Sequence, residues 1–176
     1  TLSFGTELYQ PLGGDKPLRG GFFVSPRAAY ARTSENLYAD DNPVAIYGRQ
    51  RAGGGLGLGW NSGGSTRLRF GYDIAYVRSV SRVGDPQLPS STGREQALRG
   101  RFDYDGQNAA YFPSGGLRLT STALWFLEAP DAPQRFGAVE GKLHAARSVG
   151  GDSILTLTTD GGATFGGPPP TLYQFG

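Results

Sequence analysis

The sequence predicts an all-β fold: an antiparallel, up-and-down β-barrel of about eight strands, or part of one, of the kind that spans a membrane. Apolar and charged residues alternate with a period of two, and a β-strand places alternate side chains on opposite faces. Glycine and proline are abundant, with 29 and 12 residues among 176, which favours turns over helices. No run approaches the roughly 18 consecutive apolar residues of a membrane-spanning helix, whereas alternating barrel strands need no such run.

The clearest alternation lies in residues 65–82, and the rest of the chain repeats it. One set of side chains is apolar and rich in aromatics: Thr66, Leu68, Phe70, Tyr72, Ile74 and Tyr76. The other set is charged or small: Arg67, Arg69, Gly71, Asp73 and Ala75. This stretch is much longer than the usual strand of about five or six residues. Such a strand suits a barrel whose apolar face meets lipid and whose charged face lines a polar lumen.

Seven further stretches show the same pattern and predict hairpin-connected strands. They are residues 2–8, 22–31, 44–60, 98–105, 117–127, 139–145 and 153–159. Pro26 cannot donate a hydrogen bond to a ladder, so it indicates an edge or a bulge. Pro11 and the glycines that follow it predict a turn, and residues 83–95 predict a long loop. We expect short turns at one rim of the barrel and long loops at the other.

The charged set predicts a network inside the barrel, in which arginines pair with carboxylates. Its members are Arg67, Arg69, Asp73, Arg99, Arg101, Asp103, Asp105, Arg118, Glu140 and Lys142, and the same face also carries Glu7, Arg27, Arg49, Arg51 and His144. The expected donors are Arg69 and Arg101, and the expected acceptors are Asp73 and Asp103. The apolar set contains no charged residue and therefore predicts the lipid-facing surface. Its members are Leu68, Phe70, Tyr72, Ile74, Tyr76, Leu98, Phe102, Leu117 and Leu119.

Composition and motifs argue against several kinds of chemistry. There is no cysteine, so no disulfide or thiolate metal site can form. The 17 basic and 15 acidic residues balance too closely to suggest nucleic acid as a partner. Residues 151–154 imitate the start of a serine esterase motif, but no histidine follows them. The glycines of residues 53–57 lack the following helix that a phosphate loop needs, so a crowded lumen or strand curvature explains them better. We therefore predict no enzyme, no metal site and no cofactor.

Two alternatives remain open. In the first, the chain is a soluble all-β sandwich that buries its aromatic face and binds a ligand through its loops. In the second, it is an outer-membrane hydrolase in which the single histidine, His144, serves a serine nucleophile. A histidine held in a polar lumen by hydrogen bonds is the simpler interpretation.

Several stretches resemble the barrel of the bacterial surface antigen superfamily, which includes outer-membrane assembly factors and two-partner-secretion transporters. Residues 101–105 (RFDYD) run into residues 111–119 (YFPSGGLRL), as an aspartate-containing strand runs into a Phe-Pro-x-x-Gly turn and a new strand in that family. Residues 5–12 and 51–59 look most like the barrels attached to bacterial patatin-like phospholipases. Gly115 departs from the pattern, because the family's turn usually carries a basic residue there.

The resemblance implies a bacterial outer-membrane location and a role as a membrane anchor or as a conduit for protein insertion, secretion or surface display. The family's barrel has sixteen strands, so we expect residues 1–176 to form a single region of a larger barrel. The implied partners are membrane lipid, a polypeptide passenger, an attached lipase domain, and a second copy that pairs through open strand edges. No catalytic residue is carried over, because the lipase motif Gly-x-Ser-x-Gly does not occur in the sequence.

Overall fold

The computed structural model describes residues 2–13, 20–39, 42–84, 90–130, 132–151 and 153–168, except for the side chains of residues 35–39 and 42–44. Every regular element in this part of the chain is a strand. The strands are β1 (Leu2–Glu7), β2 (Gln10–Pro11), β3 (Gly21–Ala39), β4 (Asn42–Asn61), β5 (Thr66–Val83), β6 (Ser91–Asp105), β7 (Gly115–Glu128), β8 (Phe136–Ser148) and β9 (Ile154–Gly166).

The strands form one antiparallel sheet with up-and-down connectivity. Its order is β1-β3-β4-β5-β6-β7-β8-β9, and the short β2 pairs with β3 beside β1. The sheet is therefore eight strands wide, which confirms the predicted fold class. Within the described residues β1 and β9 are its two edges and do not pair with each other, so the sheet is open, as part of a barrel would be.

No helix in the described ranges is long and apolar enough to cross a membrane.

Pro26 lies where β3 changes partner. Towards β4 its pairing is regular, opposite Leu56. On the other side β1 has ended and β2 has not yet begun, and the N–H of Leu8 donates to the carbonyl of Pro26 at 3.0 Å. The side on which Pro26 has no N–H to donate therefore faces the break between β1 and β2, at the edge of the sheet. β3 itself is not an edge strand and no bulge occurs here, so the predicted edge or bulge is wrong; Pro26 instead interrupts the pairing of β3 with the edge of the sheet.

Three expectations about the connections are wrong. The strand β6 begins at Ser91, so the loop predicted at residues 83–95 is shorter than expected; serines and prolines at its start hide the alternation that follows. Pro11 pairs with Phe23 in β2, so the predicted turn does not begin there. The chain bends at Leu12 and Gly13, and the rest of the predicted turn, at Gly14, lies outside the described residues. The tight turn at residues 62–65 and the long connection at residues 106–114 lie at the same end of the sheet. Long and short connections therefore share a rim.

The two faces of the sheet differ in exposure, as β5 shows. Its buried residues share one parity: Asp73, Ala75, Val77 and Ser79. The residues between them are exposed: Tyr72, Ile74, Tyr76 and Arg78. We call the face that carries Asp73 the inner face and the face that carries Ile74 the outer face. The apolar set lies on the exposed outer face, which reverses the usual arrangement of a half-buried sheet.

The sheet curls towards its inner face. Glu7 on β1 forms an ion pair with Arg69 on β5, although β3 and β4 lie between them. Three strand steps would separate the two backbones by about 14 Å in a flat sheet, before their offset along the strands is added. The contact therefore requires curvature that brings distant strands together over the inner face.

An apolar cluster interrupts the polar inner face where β7 connects to β8. Phe136 is completely buried and stacks on Phe126, with ring centroids 4.5 Å apart. Ala138 belongs to the same buried cluster, and Ala129 and Ala132 of the connection pack against it. The cluster therefore holds this connection over one end of the inner face.

We expect Phe136→Ala to lower the free energy of unfolding by about 3–5 kcal/mol, because it removes a buried ring and leaves a cavity. The measurement is a urea titration of the protein refolded in detergent micelles. The control is Phe70→Ala, because Phe70 is 62% exposed on the outer face. This substitution should lower the free energy of unfolding by clearly less than Phe136→Ala does. A larger loss for Phe70→Ala would contradict the assignment of the two faces.

Candidate functional site

The inner face carries the charged cluster that is the candidate functional site. The cross-strand register places all ten residues of the predicted internal network on this face: Arg67, Arg69, Asp73, Arg99, Arg101, Asp103, Asp105, Arg118, Glu140 and Lys142. It places all nine predicted lipid-facing residues on the outer face: Leu68, Phe70, Tyr72, Ile74, Tyr76, Leu98, Phe102, Leu117 and Leu119. The lumen on the inner side and the lipid on the outer side remain predictions.

Asp73 is the centre of the network. It is 4% exposed and accepts hydrogen bonds from Arg27 on β3 and Arg99 on β6. The distances are 2.8 Å from Nε of Arg27 to Oδ1 and 2.7 Å from Nε of Arg99 to Oδ2. Charge-assisted hydrogen bonds of this kind are among the stronger ones in proteins. One carboxylate therefore links three strands and is shared by two positive charges.

A glycine on β4 lets Arg27 reach Asp73. The register places Gly55 between them, opposite both. A Cβ on Gly55 would collide with Oδ1 of Asp73 and would lie 3.1 Å from Nε of Arg27. In the same way, Gly59 leaves space for the ring of Phe23. The glycines of β4 are therefore needed because side chains of β3 and β5 cross over this strand.

A second shared carboxylate lies further along the inner face. Glu95 on β6 is 7% exposed and contacts two arginines of β4, Arg51 at 2.9 Å and Arg49 at 3.6 Å. The small Ala75 of β5 lies opposite Glu95 and leaves room for the contact. Glu95 is absent from the predicted network, because it lies within the loop predicted at residues 83–95. The alternation of Glu95, Ala97 and Arg99 was the signal that could have found it.

Two further ion pairs of the inner face lie towards the opposite end of the sheet and are more exposed. Arg101 pairs with Asp103 at 2.9 Å within β6, which is one of the expected pairings. Arg118 on β7 pairs with Asp105 at 2.6 Å, with nearly half of each side chain exposed. Exposed pairs of this kind stabilise a fold little. The network is therefore strongest at Asp73 and Glu95.

The partner of Arg69 differs from the expected one. We expected Asp73 or Asp103, but Arg69 forms its ion pair with Glu7 on β1, across two intervening strands. Alternation assigns a residue to a face. Strand register and sheet curvature select its partner, and neither can be obtained from alternation.

Three members of the predicted network have no ion pair within the described part of the chain: Arg67, Glu140 and Lys142. Lys142 lies opposite Asp160 of the edge strand β9. The two residues line an open cavity of about 560 Å³ together with Glu140. The network is thus looser towards β9 than around Asp73.

His144 lies on the inner face of β8, opposite Arg118. Its Nδ1 is 2.6 Å from Nε2 of Gln107, which is a donor, so Nδ1 accepts. The cavity beside it, about 530 Å³, is lined by Thr156 and Thr158, and no serine is among its described lining residues. Among the described residues, the cavity beside His144 therefore contains no serine nucleophile. Within the described residues no group of three or more histidine or acidic side chains is placed to hold a metal ion.

The centre of the network encloses a smaller cavity of about 210 Å³. The charged residues that line it are Glu7, Arg27, Arg51, Arg69, Asp73, Arg99 and Arg101. The buried Nε of Arg69 has no hydrogen-bond partner. Arginines outnumber carboxylates in this lining, but Arg51 and Arg101 are paired with Glu95 and Asp103, so the excess of positive charge is small.

No protein-family model matches this chain, and no curated protein or solved structure shows significant similarity to it. The resemblance to the bacterial surface antigen superfamily therefore stays a prediction. The functional argument depends on the geometry of the two faces.

We expect Asp73→Asn to lower the free energy of unfolding by about 3 kcal/mol, because two largely buried guanidinium groups lose the charge that neutralises them. A urea titration of the protein refolded in lipid vesicles measures it. The matched control is Asp105→Asn, which breaks an exposed pair and should have a much smaller effect. Equal effects of the two substitutions would contradict the central position of Asp73.

We expect Gly55→Ala to destabilise the fold by separating Arg27 from Asp73, whereas Gly100→Ala should be tolerated. A Cβ on Gly100 would meet only the ring of Phe70 at an ordinary distance of 3.6 Å. In a double-mutant cycle, Gly55→Ala should cost less in an Arg27→Gln background, since the two substitutions disrupt the same contact. Strictly additive unfolding free energies would show that Gly55 has another role.

Proposed function

We propose that this chain forms part of a β-barrel in a bacterial outer membrane, where it anchors a protein or contributes to a conduit for polypeptides. One observation carries the proposal. The single sheet exposes an apolar outer face and buries a polar, ion-paired inner face. A barrel that is surrounded by lipid and filled with polar groups has this division, and a sheet that packs on an apolar core has the opposite one.

Large apolar side chains are exposed across the whole width of the sheet. Phe4 on β1 is 67% exposed, Phe70 on β5 is 62% exposed and Leu157 on β9 is 57% exposed. Soluble monomers rarely expose contiguous apolar patches of more than a few hundred Å². Lipid tails would cover this surface without a further protein layer.

The dimensions of the apolar band fit a bilayer. On β5 the apolar outer residues extend from residue 68 to residue 76, and a tilted strand needs roughly 9–11 residues to cross the hydrocarbon. Trp60 and Phe22 lie opposite each other at one end of the band, and Tyr30 and Tyr76 lie in one row at the other end. Aromatic girdles at both interfaces are typical of membrane barrels.

The unpaired edges of β1 and β9 have a consequence for how the barrel is assembled. Unpaired backbone groups are costly in lipid, so a membrane barrel must close. Since β1 and β9 are edges in the described residues, closure requires strands from elsewhere in the same protein or from a second copy. The second source would give a dimer or a larger ring.

The inner face supports a conduit as well as an anchor. Arginines line the cavity at the centre of the network, and their guanidinium groups can bind acidic groups of a passing chain. Roles in protein insertion, secretion or surface display, and an attached lipase domain, come from the resemblance of the sequence alone.

The rival proposal is a soluble binding domain. It needs a second layer of protein over the outer face, and all the described strands belong to one sheet. A second copy could supply such a layer in buffer. Behaviour in lipid therefore separates the two proposals.

The test is refolding with and without lipid vesicles, followed by light scattering and tryptophan fluorescence. Trp60 and Trp125 both lie on the outer face, so the membrane proposal predicts a blue-shifted emission that brominated lipid tails quench. Trp125→Phe assigns the remaining signal to Trp60, which is 40% exposed. A discrete species in plain buffer, whose tryptophans lipid neither shifts nor quenches, would overturn the proposal.

A further inference from the structure

The outer face is not apolar throughout, which corrects the expectation that it reserves no position for charge. Arg32, Arg78 and Arg82 share the parity of the apolar set and are exposed. All three lie at the same end of the sheet, beyond the apolar band. We call these three residues the outer arginine group.

The register aligns two members of this group in one row across three strands. Arg32 on β3 lies opposite Gln50 on β4, and Gln50 lies opposite Arg78 on β5. Thr92 on β6 continues the row beside Arg78. Two strand steps separate Arg32 from Arg78 by about 10 Å between their backbones. Both long side chains can therefore reach a group that lies between them, above Gln50.

The outer arginines lack the neutralisation that the inner arginines have. Among the described residues, Arg32, Arg78 and Arg82 form no ion pair, whereas every buried carboxylate of the inner face binds at least one arginine. Glu128 is the only carboxylate of the described outer face, and it pairs with Arg94 at 3.0 Å. The charge of the outer arginine group is thus available to a ligand.

The row next to Arg32 and Arg78 indicates the height of this group. It contains Phe4, Tyr30 and Tyr76, aligned by the register, and Phe4 stacks on Tyr30 with centroids 5.4 Å apart. Aromatic residues of membrane barrels lie at the interface between hydrocarbon and headgroups. Arg32 and Arg78 lie one row further from the centre of the apolar band, in a row that also holds the exposed Leu2, and the proposed membrane location puts this row near the lipid phosphates.

We propose that Arg32, Arg78 and Arg82, with Gln50 and Thr92 beside them, bind the phosphate groups of anionic lipid headgroups. This inference rests on the proposed membrane location and names the lipid class that the outer face prefers. Guanidinium groups recognise phosphate oxygens by paired hydrogen bonds, and Gln50 and Thr92 add uncharged donors.

The test is an electron paramagnetic resonance measurement of lipid selectivity, with the protein inserted in phosphatidylcholine vesicles. The probes are spin-labelled phosphatidylglycerol and spin-labelled phosphatidylcholine, and the immobilised fraction of each gives a relative association constant. We expect the wild type to prefer phosphatidylglycerol. The double substitution Arg32→Gln and Arg78→Gln should reduce this preference by up to roughly 25-fold, since each arginine near an anionic surface contributes roughly fivefold.

The matched control is the double substitution Arg67→Gln and Lys142→Gln. It removes the same charge from two exposed positions of the inner face that form no ion pair with a described residue, and it should retain most of the preference. Loss of preference in both double variants, or in neither, would overturn the inference. So would a wild type without preference, or inorganic phosphate that abolishes the preference more strongly than sodium chloride of equal ionic strength, because the site would then bind the free ion.

Failure of the proposed function gives a different result. If the protein does not insert, neither spin label shows an immobilised component, and both the membrane location and the headgroup site are wrong. If it inserts and immobilises both lipids equally, only the headgroup site is wrong.

Discussion

The neutralisation of arginines by shared carboxylates on the inner face is the interaction on which the rest of the structure depends. Asp73 joins Arg27 and Arg99 across three strands, and Glu95 joins two arginines of β4. Removing one partner of such a buried group leaves an uncompensated charge and is strongly destabilising. A sheet that keeps these charges inside must therefore keep them paired.

This constraint explains features of the chain that look unrelated in the sequence. Gly55 on β4 carries no side chain where Arg27 crosses that strand to reach Asp73, and Gly59 leaves the same kind of space for Phe23. The curvature of the sheet brings Glu7 within reach of Arg69. Because polar and charged side chains occupy the inner face, the apolar side chains lie on the outer face. There, only lipid or another protein layer can cover them.

Much of the fold can be predicted from the sequence, because a period of two defines strands and faces at once. The alternation in residues 65–82 assigns Leu68 and Asp73 to opposite faces, and the structure agrees. The partner of Arg69 could not be predicted, since it depends on register and curvature. The position of Glu95 on a strand could not be predicted, because the serines and prolines just before it are typical of a loop. Arg32 and Arg78 lie just beyond the apolar alternation of their strands, so alternation alone does not assign them to the outer face, although Arg78 continues the parity of Tyr76.

The most direct measurement is a scan of single-cysteine variants along β5, in vesicles, with a spin label at each position in turn. The natural chain has no cysteine, so each label reports one site. The account predicts that oxygen, which concentrates in lipid, relaxes the labels at Ile74 and at the other even positions from 68 to 76, and that labels at the odd positions between them are shielded from it. Shielding of both sets alike, or oxygen access at the odd positions, would contradict the claim that the apolar face meets lipid.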